Sequence, residues 1–108
     1  MSRYSESKHP HHAVRQFRGQ PGNYILHFSD GTAYVGRQGA HVSRLDAHMR
    51  THGEQVVGVQ FMTDHENNQC VRAEREQRTV KQLERAGVML RNLIEPSHPQ
   101  SCPPRRKR

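Results

Sequence analysis

An Asp-Gly pair at positions 30 and 31 constrains the fold of this chain more than any other feature, because two segments rich in strand-forming residues flank it. These segments span residues 22–28 and 33–36. Asp-Gly between two such segments is typical of the tight turn of a β-hairpin. With the turn there, we predict that Tyr24 and Tyr34 both lie near the open end, on neighbouring strands, so that the two phenols share one surface.

Residues 42–52 have the periodicity of an amphipathic helix. Its apolar stripe contains Val42, Leu45 and Met49, and beside it three polar residues recur every four positions, namely Arg44, His48 and His52. Side chains at that spacing lie on one face of a helix. Taken alone, the polar stripe fits an ordinary solvated surface as well as it fits a functional one.

A second helix is predicted at residues 68–86, closed by Gly87, with Asn67 or Asn68 as its cap. Its apolar stripe contains Ala73, Val80 and Leu83, and Glu76 falls among them. A buried carboxylate is costly unless a cation, a metal ion or strong hydrogen-bond donors compensate it. Glu76 is therefore a candidate functional residue, and a buried ion pair with an arginine is the alternative. Glu74 is expected on the solvated side.

A third strand is predicted at residues 55–62, with Val57, Val59 and Phe61 on one face and Val56 and Met62 on the other. Together with the hairpin and the two helices, it predicts an α+β fold in which a small three-stranded antiparallel sheet is flanked by helices. A folded part of about 70 to 75 residues is close to the lower limit for a single hydrophobic core.

Three regions are expected along the chain. Residues 1–20 are predicted to be a disordered polar segment, residues 21–94 the folded domain, and residues 95–108 a disordered, proline-containing basic tail. The histidines at positions 9, 11 and 12 lack the spacing of a structural zinc site. Cys70 and Cys102 form neither a metal-type pair nor a disulfide framework, so free thiols are expected.

The charge of the chain favours a nucleic acid as its partner. Lys and Arg number 17 against 10 Asp and Glu, a formal net charge of +7, and the forked donors of arginine match phosphate oxygens. The basic residues at the C-terminal end could instead be tails on an unrelated domain. The sequence contains no long apolar segment, which predicts no membrane association and a cytoplasmic protein, or a nuclear one if the host has a nucleus.

Several short motifs, taken together, resemble the GIY-YIG nuclease family. The motifs are Gly22-Asn23-Tyr24, Tyr34-Val35-Gly36, Arg44 ten residues after Tyr34, His48 one helical turn later, the helix segment that begins at Glu76, and Leu90-Arg91-Asn92. The resemblance covers roughly residues 22 to 93. It departs from the family pattern at Asn23, where an aliphatic residue is usual, and at Val35, where isoleucine is usual.

The resemblance implies a metal-dependent endonuclease that hydrolyses DNA. Glu76 would bind Mg²⁺ or Mn²⁺ and Arg44 would bind the scissile phosphate. Tyr24 would orient or deprotonate the attacking water, Tyr34 and His48 would complete the path of protons and hydrogen bonds, and the general base is one of these three residues. The expected nucleic-acid contacts are Arg37, Arg44, His52 and Asn92. Asn92 has a structural role as its alternative.

Specificity is expected from DNA backbone or shape, or from a protein partner or homodimer. Two other functional classes stay open on the sequence. One is a basic module of the same fold that binds nucleic acid without cutting it. The other is a small interaction module whose basic tails bind an acidic protein or RNA.

Overall fold

A central antiparallel sheet with helices on both faces forms this protein, as seen in a computed structural model that describes residues 3–41, 44–92 and 102. The strands are β1 (Gly22–Phe28), β2 (Ala33–Gln38) and β3 (Val56–Thr63), in the order β2-β1-β3. The helices are α1 (Pro10–Phe17), α2 (Arg44–His52) and α3 (Gln69–Arg85), with a short 3₁₀ helix at Gly53–Gln55. The predicted α+β class is confirmed. Among the described residues, no helix has the length and apolarity that crossing a membrane requires.

The predicted hairpin is confirmed, but its register places the two tyrosines differently. Tyr24 lies opposite Gly36, whereas Tyr34 lies opposite Leu26, close to the turn. The prediction that both phenols lie near the open end is therefore wrong for Tyr34. Because positions 24 and 26 share a face of the sheet, the two side chains still lie on the same side, as diagonal neighbours.

One face of the sheet, which we call the apolar face, carries the main hydrophobic core. Strand residues Tyr24, Leu26, Phe28, Val59 and Phe61 pack there against Ala13 and Phe17 of α1 and Leu45 of α2. The rings of Phe17 and Phe61 stack with their centroids 4.3 Å apart. Burial of each such side chain stabilises the fold by about 1.5 to 3 kcal/mol, so this face anchors both α1 and α2.

The opposite face, which we call the α3 face, is much more polar. The residues of α3 that are buried are Arg72, Ala73, Glu76, Thr79 and Val80. Asn23 of β1 donates from Nδ2 to the carbonyl oxygen of Arg72 at 2.8 Å. The polar residue that departs from the family pattern therefore ties β1 to α3.

Both ends of α3 agree with the sequence prediction. The side chain of Asn68 accepts hydrogen bonds from the backbone N–H groups of Cys70 and Val71, and Gly87 follows the helix with φ +83°. Glycine adopts this left-handed conformation without the steric cost that a Cβ atom brings. The predicted burial of Glu76 is confirmed, whereas Leu83 is only partly buried.

The predicted faces of β3 require a correction, because the strand contains a bulge. His27 pairs with Gly58 and Phe28 pairs with Val56, which leaves Val57 without a counterpart. An extra residue in one strand reverses the inside-outside alternation beyond it. Val57 is therefore 60% exposed, whereas Val56 joins Val59 and Phe61 in the core.

Residues 3–20 are structured, contrary to the predicted disorder of this region. Residues 4–8, which we call the N-terminal segment, run along the free edge of β3: Ser5 N donates to Phe61 O at 2.8 Å and Lys8 N to Val59 O at 2.8 Å. The helix α1 then covers the apolar face. The sequence does contain features typical of this helix: Pro10 suits a first helical turn, and Ala13 and Phe17 recur at helical spacing.

The prediction that the cysteines are free is also wrong. Cys70 and Cys102 form a disulfide, with their Cα atoms 5.3 Å apart. They are separated by 32 positions, and spacing in the sequence carries no information about which distant segments meet. Apart from Cys102, the predicted basic tail at residues 95–108 lies outside the described residues.

Candidate active site

Tyr24 reaches the β2 edge of the sheet because its neighbour on β2 is a glycine. A Cβ atom placed on Gly36 would lie 2.5 Å from the phenolic oxygen of Tyr24 and 2.6 Å from Cε2. No side chain other than hydrogen leaves room for the ring in this position. The ring therefore crosses over β2, and it is almost fully buried.

The second phenol and an imidazole lie beside it. The ring centroid of His48 on α2 is 4.7 Å from that of Tyr34 and 5.8 Å from that of Tyr24. Leu45, one turn earlier on the buried side of α2, holds this helix against the sheet. The predicted polar stripe of α2 thus faces the two phenols through His48.

Arg44 stands at the start of α2, with an exposed side chain. Burial raises the pKa of Tyr24, of Tyr34 and of Glu76, and the charge of Arg44 opposes that rise; burial lowers the pKa of His48, and the charge of Arg44 lowers it further. These effects require the guanidinium to lie near all four groups. In the described part of the chain, Arg44 makes no hydrogen bond or ion pair, so its donors are available to a ligand.

A buried glutamine sets the position of Arg44. No sequence motif indicated this residue. Gln38 is 2% exposed, and its side-chain oxygen accepts from the N–H of Leu45 at 3.0 Å. Its Nε2 donates to the carbonyl oxygens of Phe17 and Gln20. The end of β2, the start of α2 and the segment after α1 are therefore held by one amide.

Glu76 reaches the same region from the α3 face. Its Oε1 accepts from Nη1 of Arg37 at 3.0 Å, and only 10% of the Glu76 side chain is exposed. Arg37 is predicted from the sequence to contact nucleic acid, whereas in the structure its guanidinium binds the carboxylate of Glu76. The alternative of a buried ion pair is thus realised, with Arg37 as the partner.

Burial dominates the proton affinities of the cluster. It raises the pKa of Tyr24 and of Tyr34, and it lowers the pKa of His48, where the charges of Arg44 and His52 act in the same direction. Burial also raises the pKa of Glu76, against the opposing charges of Arg37 and Arg44. Near neutral pH both phenols are therefore protonated and His48 is a neutral imidazole.

The remaining predicted site residues lie at the margin of the cluster. The ring of His52 meets the ring of Phe28 edge-on, with centroids 6.2 Å apart. Asn92 accepts from Val35 N at 3.0 Å and donates to Val35 O at 2.9 Å. Asn92 therefore pairs with the outer edge of β2, a structural role, and its contact with nucleic acid stays a prediction.

A third tyrosine, missed because residues 1–20 were expected to be disordered, lies behind Glu76. The hydroxyl of Tyr4 shares a hydrogen bond of 2.8 Å with that of Thr79, one helical turn after Glu76. Burial raises the pKa of Tyr4 to about 12, and the nearby charge of Glu76 adds to this shift. Tyr4 thus ties the N-terminal segment to α3, one helical turn after Glu76.

The side chains of this cluster could bind a hard divalent cation only if water and substrate oxygens supplied most of its ligands. Among the described residues, no group of three or more His, Cys, Asp or Glu side chains could enclose a metal ion. Mg²⁺ commonly binds through one or two carboxylates and keeps several waters. The carboxylate of Glu76 fits that mode, provided that it is released from Arg37.

Five residues that the sequence singled out therefore meet at one edge of the sheet: Tyr24, Tyr34, Arg44, His48 and Glu76. They come from four different elements, and the ring of Tyr24 reaches this edge because Gly36 leaves room for it. No profile of a known protein family matches the chain, and no significant match was found among curated proteins or solved structures.

Proposed function

We propose that this protein is a metal-dependent endonuclease that hydrolyses phosphodiester bonds in DNA, with chemistry similar to that of GIY-YIG nucleases. The observation that carries the proposal is the convergence of an exposed guanidinium, a neutral imidazole, two phenols and a carboxylate at the β2 edge. Phosphodiester hydrolysis needs a proton acceptor, donors that neutralise developing charge, and help for the leaving oxygen. This set contains a candidate for each.

Arg44 would bind the scissile phosphate. Its side chain is exposed at the start of α2, and the forked donors of a guanidinium match two phosphate oxygens. Gln38 holds the backbone next to Arg44 in a fixed position, so little additional ordering would be needed when the phosphate binds. Arg44 would thereby orient the phosphorus atom towards the phenols and the imidazole.

His48 is the group best suited to accept the proton of the attacking water. Its lowered pKa keeps it neutral near pH 7, and a neutral imidazole accepts a proton readily. The two phenols are less suited to accept this proton, because burial raises their pKa values. Tyr24 and Tyr34 would then donate hydrogen bonds that orient the water and the phosphate.

Glu76 would hold the divalent cation, with waters and phosphate oxygens as the other ligands. When bound, the cation supplies positive charge that stabilises the leaving oxygen. Arg37 occupies one oxygen of Glu76, so it would turn towards the nucleic acid, in keeping with its predicted role. Burial raises the pKa of Glu76, and until then the ion pair opposes that rise and orients the carboxylate.

A plasmid-nicking assay tests the proposal, with Mg²⁺ or with EDTA. We expect Mg²⁺-dependent nicking by the unaltered protein, and rates lower by about 10²-fold or more for Glu76→Gln and Arg44→Ala, since each removes a charge that acts on the transition state. Arg85→Ala removes an exposed arginine from the far end of α3. This control should cut within about twofold of the unaltered rate.

Equal nicking by all four proteins, or nicking that persists in EDTA, would refute the enzymatic assignment. A pH series adds a second test. The cleavage rate should rise with pH until His48 is deprotonated and then reach a plateau, if protonation of the imidazole alone limits the rate. Because the pKa of His48 is lowered, this plateau should begin at a pH below the ordinary histidine pKa of about 6.5. His48→Ala should abolish that rise.

The ion pair between Arg37 and Glu76 favours a second candidate, a basic module that binds nucleic acid without cutting it. An arginine at 3.0 Å satisfies the carboxylate without any metal ion. This candidate predicts that Glu76→Ala leaves DNA binding intact and that the unaltered protein never shows Mg²⁺-dependent cleavage. The same assay therefore separates the two candidates.

A further inference from the structure

A groove lies between α1 and α2, on the opposite flank of α2 from His48. It has a cavity volume of about 1050 Å³, and its walls come from α1, from α2 with the following 3₁₀ helix, and from the start of β3. Positions 46, 49, 50, 51 and 52 of α2 line it; at 100° per residue, positions 46, 49 and 50 lie well away from position 48, whereas positions 51 and 52 lie on the same side of the helix as position 48. The groove therefore opens mainly on the flank of α2 away from His48, and it adjoins the catalytic cluster at His52, near the end of the helix.

Three arginines supply positive charge around this groove. Arg15 and Arg18 come from the α1 side and Arg50 from α2, and all three are exposed. Asp46 lies between two of them, 3.5 Å from Arg18 and 3.4 Å from Arg50. Exposed ion pairs of this length contribute little stability, so a phosphate group could displace Asp46 from either guanidinium. Glu54 also lines the groove, which leaves three arginines against two carboxylates.

The rest of the lining is suited to flat, partly apolar groups. His9, His11 and His52 present imidazole rings, and Val14, Met49 and Val57 present apolar surface. Val57 is 60% exposed, because the bulge in β3 turns it outward. Proteins that bind single strands combine cations that follow the backbone with rings and apolar groups that contact the bases.

The wall formed by α1 is held firmly in place. Phe17 stacks on Phe61 at 4.3 Å, Ala13 is fully buried, and the N-terminal segment pairs with β3. The residues that resemble a nuclease, roughly 22 to 93, do not include α1. The groove is thus an addition to the part of the chain that carries the proposed chemistry.

We propose that this groove binds a few nucleotides of an unpaired DNA strand, so that the preferred substrate of the nuclease is a forked or flapped duplex. A cavity of about 1050 Å³ has room for a few nucleotides, but not for a turn of double helix, whose major groove alone is about 12 Å wide. An α-helix is about 10 to 12 Å across, so α2 would separate the cleaved strand at His48 from the displaced strand in the groove. The preference for forked DNA depends on the proposed function, whereas strand binding does not.

Fluorescence anisotropy in EDTA tests the binding, with a labelled oligothymidylate of about 12 nucleotides as the probe. The double variant Arg15→Ala/Arg50→Ala should bind about tenfold or more weakly, and the slope of log K against log salt should decrease by about 1.4, that is about 0.7 for each lost phosphate contact. Val57→Asp, at an exposed position, should also weaken binding. Circular dichroism melting verifies that each variant is folded.

Lys81→Ala/Arg85→Ala is the matched control, since it also removes two exposed cations, from α3. It should change the affinity by less than about twofold. Equal losses in both double variants would overturn the proposal, because they would show a response to net charge alone. Competition by a polyglutamate peptide as strong as that by oligothymidylate would also overturn it, in favour of an acidic protein partner.

Cleavage in Mg²⁺ separates this inference from the proposed function. Arg15→Ala/Arg50→Ala should cut a forked duplex about tenfold or more slowly and a blunt duplex at nearly the unaltered rate. Absence of cleavage by the unaltered protein, with groove-dependent binding retained, would refute only the nuclease assignment. Mg²⁺-dependent cleavage with unchanged oligothymidylate binding in the double variant would refute only the groove.

Discussion

The two faces of the sheet bury different kinds of side chain: one is apolar, and the other is largely polar and charged. The apolar face packs rings and aliphatic chains from β1 and β3 against α1 and α2. The α3 face buries Asn23, Arg72, Glu76 and Thr79, together with Asp64 from the loop before α3. Truncating a packed apolar side chain leaves a cavity, whereas removing one partner of a buried ion pair leaves a charge without compensation.

Function, in our proposal, uses both faces. The phenols, His48 and Arg44 belong to the apolar face and its helix α2, while Glu76 and Arg37 belong to the α3 face. They meet at the β2 edge, where Tyr24 crosses over Gly36. We therefore expect a larger loss of stability from breaking the buried ion pair of the α3 face than from a substitution at this crossing.

The largest loss of stability is expected when the buried pair on the α3 face is broken. Arg72 donates to Asp64 at 2.8 Å, and their side chains are only 9% and 1% exposed. Arg72→Ala leaves that carboxylate buried without its cation, so the free energy of unfolding should fall by about 3 to 5 kcal/mol. Urea denaturation measures this change. Arg78→Ala, at an exposed position of α3, should cost less than about 0.5 kcal/mol.

A loss of about 3 to 4 kcal/mol is expected when the disulfide at the start of α3 is removed. Cys70 and Cys102 are separated by 32 positions, and a cross-link closing a loop of that length restricts the unfolded chain by this amount in the chain-entropy account. Thermal denaturation of Cys70→Ser should show it. Addition of a reducing agent should lower the melting temperature of the unaltered protein but not that of the variant. Equal responses of the two proteins would contradict the presence of the disulfide.

A smaller loss is expected from Gly36→Ala at the crossing between the faces. The added Cβ would overlap the ring of Tyr24, and forcing a methyl group into a packed core typically costs about 1 to 3 kcal/mol. Gly53→Ala is the control, because the nearest atom to its Cβ is Met49 Cε at 3.7 Å. Chemical denaturation of both variants compares them. Equal stabilities would show that Tyr24 does not depend on this glycine.

The smallest effect at neutral pH is expected from Tyr4→Phe, which removes one hydrogen bond to Thr79 worth about 1 kcal/mol. Its alkaline behaviour is more informative. The pKa of Tyr4 is raised from 10.0 to about 12, so the protonated phenol stabilises the fold below pH 10, and this contribution is lost as the pH rises through 12.

Stability measured from pH 9 to 12 should therefore fall less steeply for Tyr4→Phe than for the unaltered protein. Parallel curves for the two proteins would show that Tyr4 is not buried against α3. Tyr34→Phe serves as a comparison from the apolar face, where the phenol is only partly buried.

Periodic patterns predicted the elements that lie between Gly22 and Gly87. The hairpin, the helix with Arg44 and His48, and the helix with an inward-facing Glu76 all follow from spacing that is local in the chain. The errors share a cause. The bulge at Val57 depends on how β3 pairs with β1, and a pattern within one strand does not reveal the register of its neighbour.

The structure of the N-terminal region was also not predictable from local sequence. Its polar composition argued for disorder, but its order comes from partners far along the chain, since residues 4–8 pair with β3 and Tyr4 meets Thr79. Composition averages over a segment and cannot register a few contacts of that kind. Phe17 is the clearest instance, because its burial depends on Phe61.

Local residue order was sufficient to place two phenols, an arginine, an imidazole and a carboxylate on particular strands and helices, because helical and strand periods are set by the backbone. Packing in three dimensions chose Arg37 as the partner of Glu76, joined Cys70 to Cys102, and built a groove from α1. These outcomes depend on distances between segments far apart in the chain, and such distances are set only when the whole core assembles.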